Sequence, residues 1–361
     1  ISIVNLRRLP ILPFARHFAA AAEYNRNIRN NYFVSADRSA RLTALQAVWE
    51  DCVRDIPYYR NLVASGNAPP SLATWADFFN IPYLERKQLQ DNPHHFIRDS
   101  GPPDKFISTA GSTGQPVKIG EWRSGMDQVR VAKLVPWVRQ GYTIDDSLYL
   151  IWGHSHLLGD GFQRHVNHLV RTFKDFLLGY RRVDAYSLSK EKAEQIVIEI
   201  MKLKPTGLIG YAAVLDLLCR YTPSFHGQLR KAGLKFVMPC AEPPPREDTF
   251  DLLRSVFQCP VIQEFGGVDF GHVAFKRDSE PYHIFHNLNI LEIDPSDADT
   301  TSGAALVTTL YPRYLPLIRY RQGDLITGVK RDRIGLVTEF SEQIGRVNDM
   351  IYLDDGLSVH R

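Results

Sequence analysis

The stretch Ser189–Tyr211, SKEKAEQIVIEIMKLKPTGLIGY, decides the fold class. Ala193, Ile196, Val197, Ile200 and Leu203 recur at helical spacing and predict one apolar face over Lys190–Lys204. Ser189 stands where a hydroxyl can accept from first-turn amides, and Pro205 lacks the amide that would continue the helix. A short apolar run, Leu208–Tyr211, follows at strand length, and Ala212–Tyr221 reads as helix again. Working outward, Leu148–Trp152 reads as a strand upstream. Downstream, Leu234–Met238, Arg246–Phe257 and Val261–Phe265 read as strand, helix and strand. Such alternation predicts βαβ units, hence an α/β fold with parallel sheets covered by helices.

The flanks read differently. Residues before about Leu89 are mostly helical in pattern, with an apolar stripe over Arg41–Asp55 closed by Pro57. Past Gly271 the helical signals stop, and Tyr282–Ile293, Ala304–Leu310 and Leu336–Phe340 predict a β-rich subdomain. The expected organisation is a helical part over 1–100, an α/β core with a phosphate loop over 101–270, β-rich structure over 271–345, and a hinge region over 346–361.

Composition excludes several function classes. The 361 residues carry 43 basic and 40 acidic side chains, a net charge of +3, which gives no polyelectrolyte signature for nucleic acid. No apolar run reaches the roughly 18 residues of a membrane span, so no membrane partner is expected. Cys52, Cys219, Cys240 and Cys259 form no CxxC pair, which favours a reducing, cytoplasmic setting.

Chemistry concentrates in five segments. In Ser108–Pro116, STAGSTGQP, Gly111 and Gly114 bracket Ser112 and Thr113. With Ser108 and Thr109 they make a loop of bare amides and hydroxyls suited to phosphate oxygens. Gln115 and the lack of a following Gly-Lys-Ser/Thr exclude a P-loop; the bland reading is a Gly/Ser turn. Cys240–Pro245 is a strand exit into a proline-rich loop. Glu264–Asp269 is EFGGVD, Arg319–Leu325 is RYRQGDL and Ile344–Ile351 is IGRVNDMI.

The order and spacing of these segments resemble the core motifs of adenylate-forming enzymes, in particular the phenylacetate-CoA ligase-like branch. The resemblance implies an enzyme, a ligase that activates a carboxylic acid with ATP. It assigns the phosphates to Ser108, Thr109, Gly111, Ser112, Thr113 and Gly114, and adenine to Ala241, Glu242, Pro243, Phe265 and Gly266. The ribose falls to Asp324 and Arg346, and magnesium to Asp269, which stands where the family carries the longer glutamate. Glu264 is a neighbouring rival for that duty. One ionised carboxylate can accept two charge-assisted hydrogen bonds, which is why an aspartate suits both ribose hydroxyls.

The resemblance also implies an acid pocket at Trp152, His154, Tyr211 and Gly267, where Trp152 and Tyr211 offer flat apolar surface for an aromatic or heteroaromatic acid. The family's C-terminal lid domain, which brings the adenylation lysine, is expected to be missing, so no lysine in this chain takes that role. The acyl acceptor is expected to be a thiol, with coenzyme A first and an amine as the alternative. A reading of another class rests on His154, His156, His165 and His168. Their spacing would suit a zinc or di-metal hydrolase or a metal-binding module.

Overall fold

The computed structural model describes residues 37–108, 116–122, 126–143, 145–153, 161–186, 188–297, 301–346, 350–352 and 358–360. The chain divides into two compact units.

The first unit comprises Leu134–Gln263 with Lys276–Ser279 among its described residues. Its sheet runs Tyr180–Val183, Leu148–Ile151, Gly207–Tyr211, Phe236–Cys240, and each neighbouring pair is parallel. The crossovers include the helices Lys190–Leu203 and Ala212–Tyr221. Ser189 Oγ accepts from the Lys192 amide at 3.3 Å, and Lys204 closes the helix in the left-handed conformation. Ala193, Ile196, Val197 and Ile200 are buried against Tyr149, Ile151 and Leu208, while Leu203 is left 46% exposed at the frayed end of the stripe. The strand expected at Leu234–Met238 lies two residues later, and the helix expected from Arg246 begins at Thr249. Pro243, Pro244 and Pro245 hold that intervening segment out of regular structure. A helix not among the expected elements, Gly161–Leu178, covers part of the histidine-rich stretch.

The second unit contains the described residues of 37–133, Glu264–Phe275 and the chain from Glu280 onward. Asp37 caps the helix Arg38–Asp55 by accepting from the Ser39 and Ala40 amides, and Pro57 opens the next helix rather than merely ending the first. One sheet joins Leu84–Glu85, Tyr320–Thr327, Ser302–Thr309 and Asn289–Ile293 in that order, with Glu342–Arg346 also on Tyr320–Thr327. Another joins Lys330–Arg331, Val337–Phe340, Tyr282–Ile284, Gly271–Arg277 and Ile262–Gly267. Most of these pairings are antiparallel, in keeping with the short strands expected past Gly271. Trp49, Phe78, Ile290, Val307 and Phe340 lie in the core of this unit.

Candidate nucleotide and acid site

Within the second unit the strand Tyr320–Thr327 organises the site. Its burial alternates strictly, so Tyr320, Gln322, Asp324 and Ile326 share the buried face. Asp324 is 3% exposed, and its amide donates to Gln322 Oε1 at 2.7 Å. Arg346 is its register partner on the antiparallel strand Glu342–Arg346, so the two residues assigned to the ribose are backbone neighbours. Gly323 sits between them and Gln322 at φ +96°, a conformation that an L side chain would strain.

The same strand grips Asp269. Tyr320 Oη donates to Asp269 Oδ2 at 2.8 Å, and Arg86 Nη1 lies 3.6 Å from that oxygen. Burial, followed by the Asp269 charge, pushes the Tyr320 phenol well above its ordinary range, so it stays a donor. Four residues along a strand span about 13 Å, which sets the scale between the tyrosine that holds Asp269 and Asp324. Upstream, Arg319 adopts a left-handed φ of +48° and is locked by Glu292 at 2.9 Å and by the carbonyls of Phe79 and Ile81. Arg321 donates to Glu85 at 2.9 Å and also pairs with Asp294. The RYRQGDL segment is therefore braced residue by residue.

Magnesium usually keeps several waters and takes one or two carboxylates together with phosphate oxygens. Asp269 fits that modest demand. Its Oδ2 is held by Tyr320, and Gly267 leaves room beside Oδ1, where a Cβ would come within 2.7 Å. The rival Glu264 pairs instead with His272 Nδ1.

Phe265 requires a correction. It was expected to offer its ring to adenine, but the ring is fully buried in the core, edge-on to Phe340 at 5.3 Å. The assignment rested on the resemblance of EFGGVD to the family's motif, whereas the strand turns Phe265 inward and leaves Gly266 exposed.

The phosphate-loop residues Thr109, Gly111, Ser112, Thr113 and Gly114 lie outside the described residues, as does His154. The flanks of the loop are described. Ser108 ends the strand Lys105–Ser108 and pairs with Lys118 on the antiparallel strand Lys118–Glu121.

In the first unit, Ala241 follows the strand Phe236–Cys240 at φ +69°, a left-handed conformation for a residue with a side chain. The turn is tied down by Glu242, whose Oε1 accepts from the Ala213 amide at 2.8 Å. That amide belongs to the first turn of Ala212–Tyr221, whose N-cap residue Tyr211 supplies no side-chain bond, so Glu242 caps the helix from a distance. Pro243 is exposed beside it. Burial, then the Glu242 charge, raises the Tyr211 phenol. Sequence reasoning had no signal for this cap beyond the acid's place after the strand.

Trp152 and Tyr211 follow or end neighbouring parallel strands, and their rings stack at 4.6 Å with an interplanar angle of 8°. The two rings therefore cover each other's inner faces, and of the pair it is Trp152 that lines the neighbouring pocket. That pocket has a volume of about 800 Å³, and its lining includes Trp152, Gly153, His168, Arg171, Tyr180 and Arg182. His165 and His168, from the metal reading, line this pocket. Among the described residues no group of three or more His, Cys, Asp or Glu is placed to hold a metal ion.

No family model matches the sequence, and no curated protein matches it. Solved structures do resemble it. The open conformation of 2-hydroxyisobutyryl-CoA ligase in complex with 2-HIB-AMP and CoA gives a TM-score of 0.65 at 17% identity, covering 88% of this chain and 76% of that one. The postadenylation state of the same ligase with R3-HIB-AMP gives 0.67 at 16% identity over 89% and 69% of the two chains. Its thioesterification state with 2-HIB-AMP and CoA gives 0.66 at 17% identity over 90% and 71%. The likeness is one of fold: the chain has the α/β architecture of the adenylate-forming enzymes.

Proposed function

We propose that the protein activates a carboxylic acid with ATP. The carboxylate attacks the α-phosphorus, pyrophosphate leaves, and the acyl adenylate then passes its acyl group to a thiol, that of coenzyme A first, with AMP as the second leaving group. The observation that carries this reading is the register of Asp324 with Arg346 on the strand that also holds Asp269. The fold supports it, since 2-hydroxyisobutyryl-CoA ligase was solved with an acyl-AMP and CoA.

In this reading Asp324 accepts from the ribose hydroxyls and Arg346 serves the ribose and phosphate side. Ser108 with Thr109 to Gly114 receives the β and γ phosphates. The Ala241–Glu242–Pro243 turn runs along adenine, with Glu242 fixing the turn rather than touching the base. Asp269 would hold magnesium, which neutralises phosphate charge when bound with the nucleotide. The chain's residues orient the reactants more than they react, which suits displacement at phosphorus. Trp152, His154, Tyr211 and Gly267 are the residues assigned to the acid, and the aromatic side chains of Trp152 and Tyr211 favour an aromatic or heteroaromatic acid. The spacing of the four cysteines, with no CxxC pair, favours a cytoplasmic setting.

Incubation with MgATP, a panel of aromatic and aliphatic acids and either coenzyme A or an amine, followed by mass spectrometry, tests the reading. An acyl adenylate and a CoA thioester are expected; an amide product would move the acceptor to amines, and no adenylate from any acid would reject the function.

A further inference from the structure

The pocket beside Trp152 carries a charge pattern that the adenylation reading does not use. It lies where the strands Leu148–Ile151 and Tyr180–Val183 end and the helix Gly161–Leu178 passes. In open parallel sheets this end of the strands is where ligands sit. Two of the pocket's arginines are already committed. Arg182 forms a two-point pair with Asp175 at 2.8 and 3.0 Å, and Arg181 bonds Glu199 at 2.5 Å. Asp184 lines the pocket too, and its Oδ1 accepts from the Tyr186 amide at 2.9 Å.

Arg171 differs from these. It is half-buried, and among the described residues it makes no hydrogen bond or ion pair. Its Nη1 reaches across to Gly153, 3.6 Å from where a Cβ would stand, one residue beyond Trp152. A guanidinium held beside an aromatic platform, in a pocket roomy enough for a small organic molecule, is a receptor for a flat ligand that ends in an anion.

We infer that the acid substrate carries a second anionic group, at the end of the molecule away from the carboxylate that is activated, and that Arg171 receives it while the ring lies against Trp152, which Tyr211 backs by stacking. This deepens the proposed function and rests on it. His168, which lines the same pocket and makes no hydrogen bond with a described residue, stands as a second donor. The substrate class is an aromatic dicarboxylate or an aromatic carboxylate with a sulfonate or phosphate. Arg171 then acts as a specificity residue, and it takes no part in displacement at phosphorus.

The experiment compares benzene-1,4-dicarboxylate and 4-carboxyphenylacetate with their monomethyl esters, by calorimetric binding to the full chain and by acyl-adenylate formation with MgATP. The diacids are expected to bind at least about tenfold more tightly than the esters. Arg171→Met should collapse that ratio toward one, and Arg171→Lys should restore part of it. Lys174→Met, on the same helix outside the pocket lining, should leave the ratio in place, and thermal unfolding shows that each variant folds. Esters that bind as well as diacids, or a ratio indifferent to Arg171, would overturn the inference. So would an Arg171-dependent binding of adenosine 3′,5′-bisphosphate without preference among the acids, which would assign the cation to the acceptor nucleotide. MgATP titration in parallel separates the two levels. Adenylation of esters and diacids alike removes only the second-anion inference. Loss of diacid binding in Arg171→Met with no adenylate from any acid keeps the anion site and removes the adenylation reading.

Discussion

Asp324 and Arg346 are register partners across the antiparallel pair Tyr320–Thr327 and Glu342–Arg346. Backbone pairing therefore fixes the spacing of two residues that are 22 positions apart in sequence. Directly opposed positions in an antiparallel ladder are about 5 Å apart. The bulge that follows at Leu325 and Ile326 leaves this pair in place and shifts only the positions beyond it.

Removing the distant cap on Ala212–Tyr221 should loosen the turn at Ala241. Glu242→Ala leaves the Ala213 amide without its 2.8 Å partner, and loss of such a cap costs about 1 kcal/mol. Hydrogen exchange at the Ala213 amide should speed up several-fold, while the strand Gly207–Tyr211 stays protected. Unchanged protection at Ala213 would mean that the carboxylate does not cap in solution.

Tyr320→Phe should release Asp269. The variant keeps the ring and removes one hydrogen bond to a buried carboxylate, a loss of about 1.5 to 3 kcal/mol. Urea unfolding of the second unit should shift to lower denaturant, and the magnesium dependence of ATP binding should change, because Oδ2 of Asp269 is no longer held. A variant with wild-type stability and wild-type magnesium dependence would contradict this role for Tyr320.

Acid should weaken the second unit through His286. Burial, then the charge of Arg41, holds its imidazole at about 4 in place of 6.5, and its Nδ1 has no hydrogen-bond partner among the described residues. Asp332 opposes that shift. With the folded value depressed, the unfolded chain binds more protons between these limits. Stability is therefore full above pH 6.5 and falls as pH drops toward 4, by on the order of 3 kcal/mol in all. His286→Gln should flatten the stability profile in that window, measured by urea unfolding at several pH values. An unchanged slope would assign the acid sensitivity to other groups.

Much of this architecture was legible because apolar runs were bounded by residues with backbone consequences. Ser189 and Pro205 bracketed a helix, and Pro57 marked a boundary, although it opens a helix as well as closing one. The pairing of Asp324 with Arg346 was suggested by motif order, and the strand alternation that buries Tyr320 on the same face was there to be counted. The reading of Phe265 came from a motif, and a motif gives the residue type without saying that its ring faces a core. The helix Gly161–Leu178 was legible too, since Phe162, Val166, Leu169, Val170, Phe173 and Leu177 recur at helical spacing, but its histidines drew the reading toward a metal site. Long-range partners such as Arg171 beside Gly153, and Glu242 on Ala213, depend on how strand ends meet helices, and no local pattern encodes that.

Calorimetric titration with MgATP of the wild-type chain and of Asp324→Ala tests the central claim most directly. Saturable binding by the wild type, weakened at least about tenfold in the variant as expected for two lost charge-assisted hydrogen bonds, is the predicted result. Equal binding by the two proteins would contradict the assignment of the ribose to Asp324, and no binding by the wild type would contradict the nucleotide site itself.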